Sequence, residues 1–148
     1  MSFQQLPSSW TDQPLTDSAV AADVVDLMVS LGDRQRGTFT VLLCDPDDHY
    51  RAALTIDLPA GFGARLDAGE ACSSALEPII PAVHTAPGTG LVLALGRPGP
   101  ARRPELDYEW AVASMTICRS TNTRLLGFYI AARDGIYQPS LDAPAIAA

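Results

Sequence analysis

Three arginines, Arg97, Arg102 and Arg103, gather on one short stretch of a chain whose formal net charge is −7. An apolar run ends there in Gly96-Arg97-Pro98-Gly99-Pro100, and a helix begins a few residues later at Pro104-Glu105. Guanidinium forks beside a helix N-terminus suit phosphate or carboxylate, so one reading of the stretch is a small-anion site. The simpler reading is a solvated loop in which Asp107 or Glu105 neutralises Arg97, since pairing accounts for most such clusters. The loop holds no His, no Cys and no carboxylate before Glu105.

Other chemistry-bearing residues are sparse. Cys44, Cys72 and Cys118 are widely spaced on apolar or helical patterns and read as buried, reduced thiols. No CxxC occurs, and three Cys with two His are too few and too scattered for a zinc site. His84 closes a helical pattern, where a C-terminal dipole favours a capping role over that of a base. His49 opens a strand. Asp45-Pro46-Asp47-Asp48 has turn chemistry, and it lacks the extra oxygen ligands and Gly bend of a calcium loop. No nucleophile elbow, P-loop or GxGxxG is present.

The elements that must position these residues follow from periodicity. Residues 1–16 are a polar arm with Pro7 and Pro14, which Phe3, Leu6 or Trp10 could pin to the same or a neighbouring subunit. After Thr16-Asp17-Ser18, apolar positions from Val20 to Leu31 predict a helix over 18–31 that stops at Gly32. Thr38 to Cys44 reads as a central strand, turned by Asp45–Asp48 into a returning strand over 49–57. In that strand Tyr50, Ala52, Leu54 and Ile56 alternate against His49, Arg51, Ala53 and Thr55. Asp67-Ala68-Gly69-Glu70 has capping-box spacing, and Pro78 and Pro81 interrupt the helix it starts. Leu91 to Leu95 is a fully apolar strand, and the helix from Pro104 has a buried stripe of Leu106, Trp110, Ala113 and Ile117. Leu125 to Ala132 and Ile136 to Gln138 close the pattern around Asp134-Gly135.

The order α-β-β-α-β-α-β-β predicts an α/β fold: one domain over 17–139, a mixed β-sheet with flanking helices, and a frayed tail at 140–148. A length of 148 residues, 47 % hydrophobic and 18 % charged, suits a single domain with a real core. The acidic balance argues against nucleic acid and against an anionic membrane surface. The N-terminus lacks a signal-peptide pattern and no apolar run reaches the ~20 residues of a membrane span, which points to a cytoplasmic location. All ten basic residues are arginine, which composition alone assigns to codon bias as readily as to a use for arginine forks.

These segments, in this order, resemble the RadC branch of the JAB/MPN (JAMM) metalloprotease-like domains, over about Ser18 to Gln138. Phe39-Thr40-Val41-Leu42-Leu43-Cys44-Asp45 is similar to that family's first strand, and Ala75 to Ile80 to the helix before its metal strand. Gly90 to Pro98 is similar to the strand entering its His-x-His-Pro loop. Arg124 to Ile130, with Asp134-Gly135-Ile136-Tyr137, resembles its closing hairpin. The resemblance implies a three-layer, cytidine-deaminase-like sheet. It also implies a zinc site built from His-x-His-Pro, Ser-x-x-Asp and an upstream Glu acting as general base.

Anchored on Pro98, the two His positions hold Leu95 and Arg97. The Ser and Asp positions hold Glu105 and Tyr108, or Pro104 and Asp107 with a loop one residue shorter, and the Glu position falls near Leu54 or Thr55. Leu has no donor, Arg is a fixed cation, and at most Asp107 survives as a ligand. The expectation is a catalytically inactive, metal-free domain without cofactor. It would act as a scaffold through protein contacts, as a homodimer or with another protein partner. The alternative is a small-anion module at Arg97, Arg102 and Arg103. A hydrolase whose site has moved to other residues is a third class.

Overall fold

The structure, a computed structural model, describes residues 10–58, 67–99 and 104–139. Five strands form one mixed sheet: β1 (Thr38–Cys44), β2 (Tyr50–Asp57), β3 (Gly90–Gly96), β4 (Arg124–Ala132) and β5 (Gly135–Tyr137), in the order β2-β1-β3-β4-β5. β1 runs antiparallel to both β2 and β3, β3 and β4 are parallel, and β5 folds back antiparallel on β4. The helices are α1 (Ser18–Met28), α2 (Leu31–Arg36), α3 (Ala68–Leu76), α4 (Ile80–His84) and α5 (Pro104–Ser120). Among the described residues no helix is long and apolar enough to cross a membrane.

Side-chain alternation splits the core between the two sheet faces. Phe39, Val41, Leu93, Leu95 and Ile130 meet α3, α4 and α5, with Trp110 of α5 packed against Phe39 at 5.9 Å between ring centres. The expected stripe of α5 lies on this core, Trp110 buried and Leu106, Ala113 and Ile117 partly so. Leu42, Val92, Ala94 and Tyr129 face the other way, onto Val24, Val25 and Val29 in and after α1. β3 is buried along its whole length, as its unbroken apolar run requires.

The arm before α1 joins this second layer. Leu15 is buried, Pro14 makes an isolated bridge with His49, and the Trp10 ring rests 5.1 Å from that of Tyr50. Trp10 thus pins the arm within the chain, against the start of β2. Phe3, Leu6 and the tail at 140–148 lie outside the described residues.

Two expectations need correction. The first helix ends at Met28 rather than near residue 31, and Gly32 lies inside α2 instead of stopping α1. The cause is a capping box: the Asp33 N–H donates to Ser30 Oγ and the Ser30 N–H donates to Asp33 Oδ2, both at 3.0 Å. A new helix therefore starts at Ser30, while extended Val29 drops into the core. The second correction concerns Tyr50. Ala52, Leu54 and Ile56 pair with Leu43, Val41 and Phe39 and share their face, but a register shift between Leu43 and Cys44 sets Tyr50 opposite Cys44. That bulge sends Tyr50 to the α1 side, where Trp10 meets it.

Asp67 caps α3 by accepting from the Glu70 N–H at 2.9 Å, and α3 and α4 are separate helices around Pro78, as the prolines predict.

Candidate functional site

β3 delivers Arg97 to the carboxyl end of the parallel pair, where open α/β sheets commonly hold their ligands. Its N–H donates to the Ala131 carbonyl at 3.1 Å, extending the β3–β4 ladder by one residue. The side chain turns under the N-terminus of α5, whose first turn carries Asp107. There Nε donates to Oδ1 and Nη2 to Oδ2, each at 2.9 Å, and Nη1 donates to the Pro98 carbonyl at 3.3 Å. The two side chains are 0 % and 1 % exposed.

This is a parallel, two-pronged pair sealed from water. Attraction in a low-dielectric interior is strong, and each ion's desolvation is compensated only by the other and by surrounding donors and acceptors. The α5 dipole adds favourable potential at Asp107. Each carboxylate oxygen accepts a guanidinium N–H, and with 1 % of the side chain exposed Asp107 presents almost no surface to a substrate. The arrangement ties the end of a strand to the first turn of a helix.

The other expected positions lie around this pair. Leu95 is fully buried among Phe39 and Ile130. Tyr108 is half-buried and Glu105 exposed, so Asp107 rather than Glu105 neutralises Arg97. Leu54 and Thr55 lie on β2, at the far edge of the sheet. Arg102 and Arg103 lie outside the described residues, so of the three expected anion ligands only Arg97 is placed, and its fork is on Asp107.

A second buried arginine, Arg34, was not singled out from the sequence. Its Nε donates to the Val29 carbonyl at 3.1 Å, Nη1 to the Ala132 carbonyl at 3.2 Å, and Nη2 to Asp26 Oδ1 at 2.8 Å. Arg34 and Arg97 thus sit on opposite sides of the ends of β3 and β4. Between them lies Gly96, where a Cβ would meet Thr38 Oγ1 at 2.7 Å and Val29 at 3.0 Å. Arg124 ties the other end of the sheet, donating to Asp48 Oδ1 at 2.8 Å and to the Gly88 carbonyl at 2.6 Å. In these three places the planar fork itself is used, which gives the arginine-only composition a structural role.

His84 does not cap α4 carbonyls by its ring; Nε2 lies 3.1 Å from the Thr123 hydroxyl. Burial pushes the Cys44 and Cys72 thiols up to about 12 and Cys118 to about 11, so all three are protonated and unreactive. Asp45 sits well below the usual carboxylate range because it accepts from the His49 and Asp47 N–H groups and from Arg51. It shapes the turn. Among the described residues no three His, Cys, Asp or Glu side chains come together as a metal set.

Compared with known proteins, the chain matches no family model, no curated protein and no solved structure.

Proposed function

We propose that this chain is a RadC/JAB-like domain that carries neither metal nor hydrolytic activity and acts through protein contacts, as a homodimer or scaffold. The Arg97–Asp107 pair carries the reading. At the position where the resemblance expects a second His, and at the one where, with the loop one residue shorter, it expects the Asp of a zinc set, the chain has a cation and a carboxylate closed on one another. Leu95, at the first His position, belongs to the hydrophobic core. The five-stranded mixed sheet with helices on both faces supports the layered arrangement that the resemblance implies.

Titration of the purified chain with zinc, followed by calorimetry, tests this. The expected result is no saturable one-to-one site of micromolar or tighter affinity. A stoichiometric zinc that Asp107→Asn abolishes overturns the reading.

A further inference from the structure

We propose that β2 is the dimerisation edge of this protein: two copies pair antiparallel through β2 about a two-fold axis at Leu54, joining their sheets into one. This rests on the protein-contact reading above and names its surface and partner.

Among the described residues no strand pairs with the outer side of β2, eight residues long from Tyr50 to Asp57; the arm meets this edge only at its entry, through the Pro14–His49 bridge. Exposed edges of that length normally carry lysine, proline or an inward charge that blocks further pairing. The middle of β2 is Ala52-Ala53-Leu54-Thr55-Ile56, with none of these. Leu54 is 45 % exposed and stands at the mouth of an apolar groove of about 440 Å³, lined also by Leu43, Ile79, Ala82 and Pro87.

The edge is complementary to itself. The Leu58 N–H donates to the Gly37 carbonyl, which continues the β1–β2 ladder and fixes its alternation. Ile56 and Leu54 direct their main-chain groups to β1, and Ala53, Thr55 and Asp57 direct theirs outward. A two-fold at Leu54 sets Ala53 opposite Thr55 of the second copy, so outward-facing groups meet as hydrogen-bonded pairs. Leu54 then meets Leu54, and Ala52 meets Ile56, on the face where the groove opens. At both ends Arg51, which the bulge leaves unmatched on β1 and which also donates to Asp45, comes opposite Asp57. The Arg51 and Asp57 side chains are 67 % and 72 % exposed, and between these two no like charges face each other in this register.

Sedimentation equilibrium on the full chain tests the proposal. The wild type should run at twice its 15.7 kDa mass. Leu54→Lys places two cations on the axis and should weaken dimerisation by about two orders of magnitude, with an unchanged circular-dichroism spectrum because the site is exposed. Arg51→Asp and Asp57→Arg should each weaken it by about tenfold, and an equimolar mixture should recover a heterodimer. A wild type that is monomeric throughout, a dimer that Leu54→Lys leaves intact, or single variants that fail to complement overturns the proposal. Each such failure leaves the metal-free reading standing, and a tight zinc site would leave this surface standing.

Discussion

Arg97 and Asp107 meet fork to fork, with Nε and Nη2 each 2.9 Å from one carboxylate oxygen, and water reaches neither. Removing one partner leaves the other charge buried without its two-pronged counter-ion. Arg97→Met or Asp107→Leu should therefore each lower unfolding stability by about 3–5 kcal/mol. The double variant should lose much less than the sum of the two, because an apolar pair of similar volume avoids both desolvation penalties. Urea unfolding of the three variants, analysed as a double-mutant cycle, measures the coupling. Additive losses would show that the two side chains act independently.

Alkaline conditions should destabilise the fold through its thiols. In the unfolded chain they ionise near 9.0, and in the folded chain burial holds Cys44 and Cys72 to about 12 and Cys118 to about 11. Above pH 9 the unfolded state thus binds fewer protons, and stability falls as pH rises toward the folded values. The stability these groups contribute is complete below pH 9. The slope is about 1.4 kcal/mol per pH unit for each thiol. Thermal melts between pH 8 and pH 11 on wild type and a Cys72→Ala variant check this, the variant showing the shallower decline.

Gly96→Ala should cost about 1–3 kcal/mol, because the added methyl would meet Thr38 Oγ1 and Val29 in a filled core. Thr38→Val is not expected to rescue it, since the valine methyl occupies the same space. A Gly96→Ala midpoint in urea equal to that of the wild type would refute the packing argument.

Arg34→Met should lose about 3 kcal/mol, since it removes the buried guanidinium that donates to the Val29 and Ala132 carbonyls and to the Asp26 carboxylate. Arg36→Met is the control: its contacts with Asp33 and Asp57 are at the surface, and its loss should stay below about 1 kcal/mol. Chemical denaturation of the pair separates the two arginines.

These four cases also mark what the sequence made legible. The Arg97–Asp107 pair was open to inference because both residues punctuate recognisable elements: one ends an apolar strand and the other sits in the first turn of a helix. The hairpin β1–β2 and the buried strand β3 were legible for the same reason, since turn chemistry and apolar runs are local signals. Arg34 was not. Its neighbours Gly32, Asp33, Gln35 and Arg36 are a polar stretch that reads as solvent-facing, and its burial depends on Ala132, 98 residues away. Tyr50 escapes strict alternation because a period of two has no way to show a bulge, and the shift lies between Leu43 and Cys44, next to the Asp45–Asp48 turn. That no strand pairs with the outer side of β2 among the described residues is equally non-local: it follows from β1 pairing with β3 instead of lying at the edge.

The ten-residue separation of Arg97 and Asp107 bears on how the chain assembles in time. Loops of that length close in about 10–100 ns, far faster than distant strands find one another. A latch between the end of β3 and the start of α5 can thus close before β4 arrives to form the one parallel pair of the sheet. A latch closed that early would shorten the search that β4 must make, and the refolding rate tests this. Asp107→Leu should accordingly slow refolding as well as speed unfolding, whereas Leu54→Lys, at an edge, should leave refolding of the single chain unchanged. The buried pair is then a step in the chain's itinerary as well as a fixture of its end state.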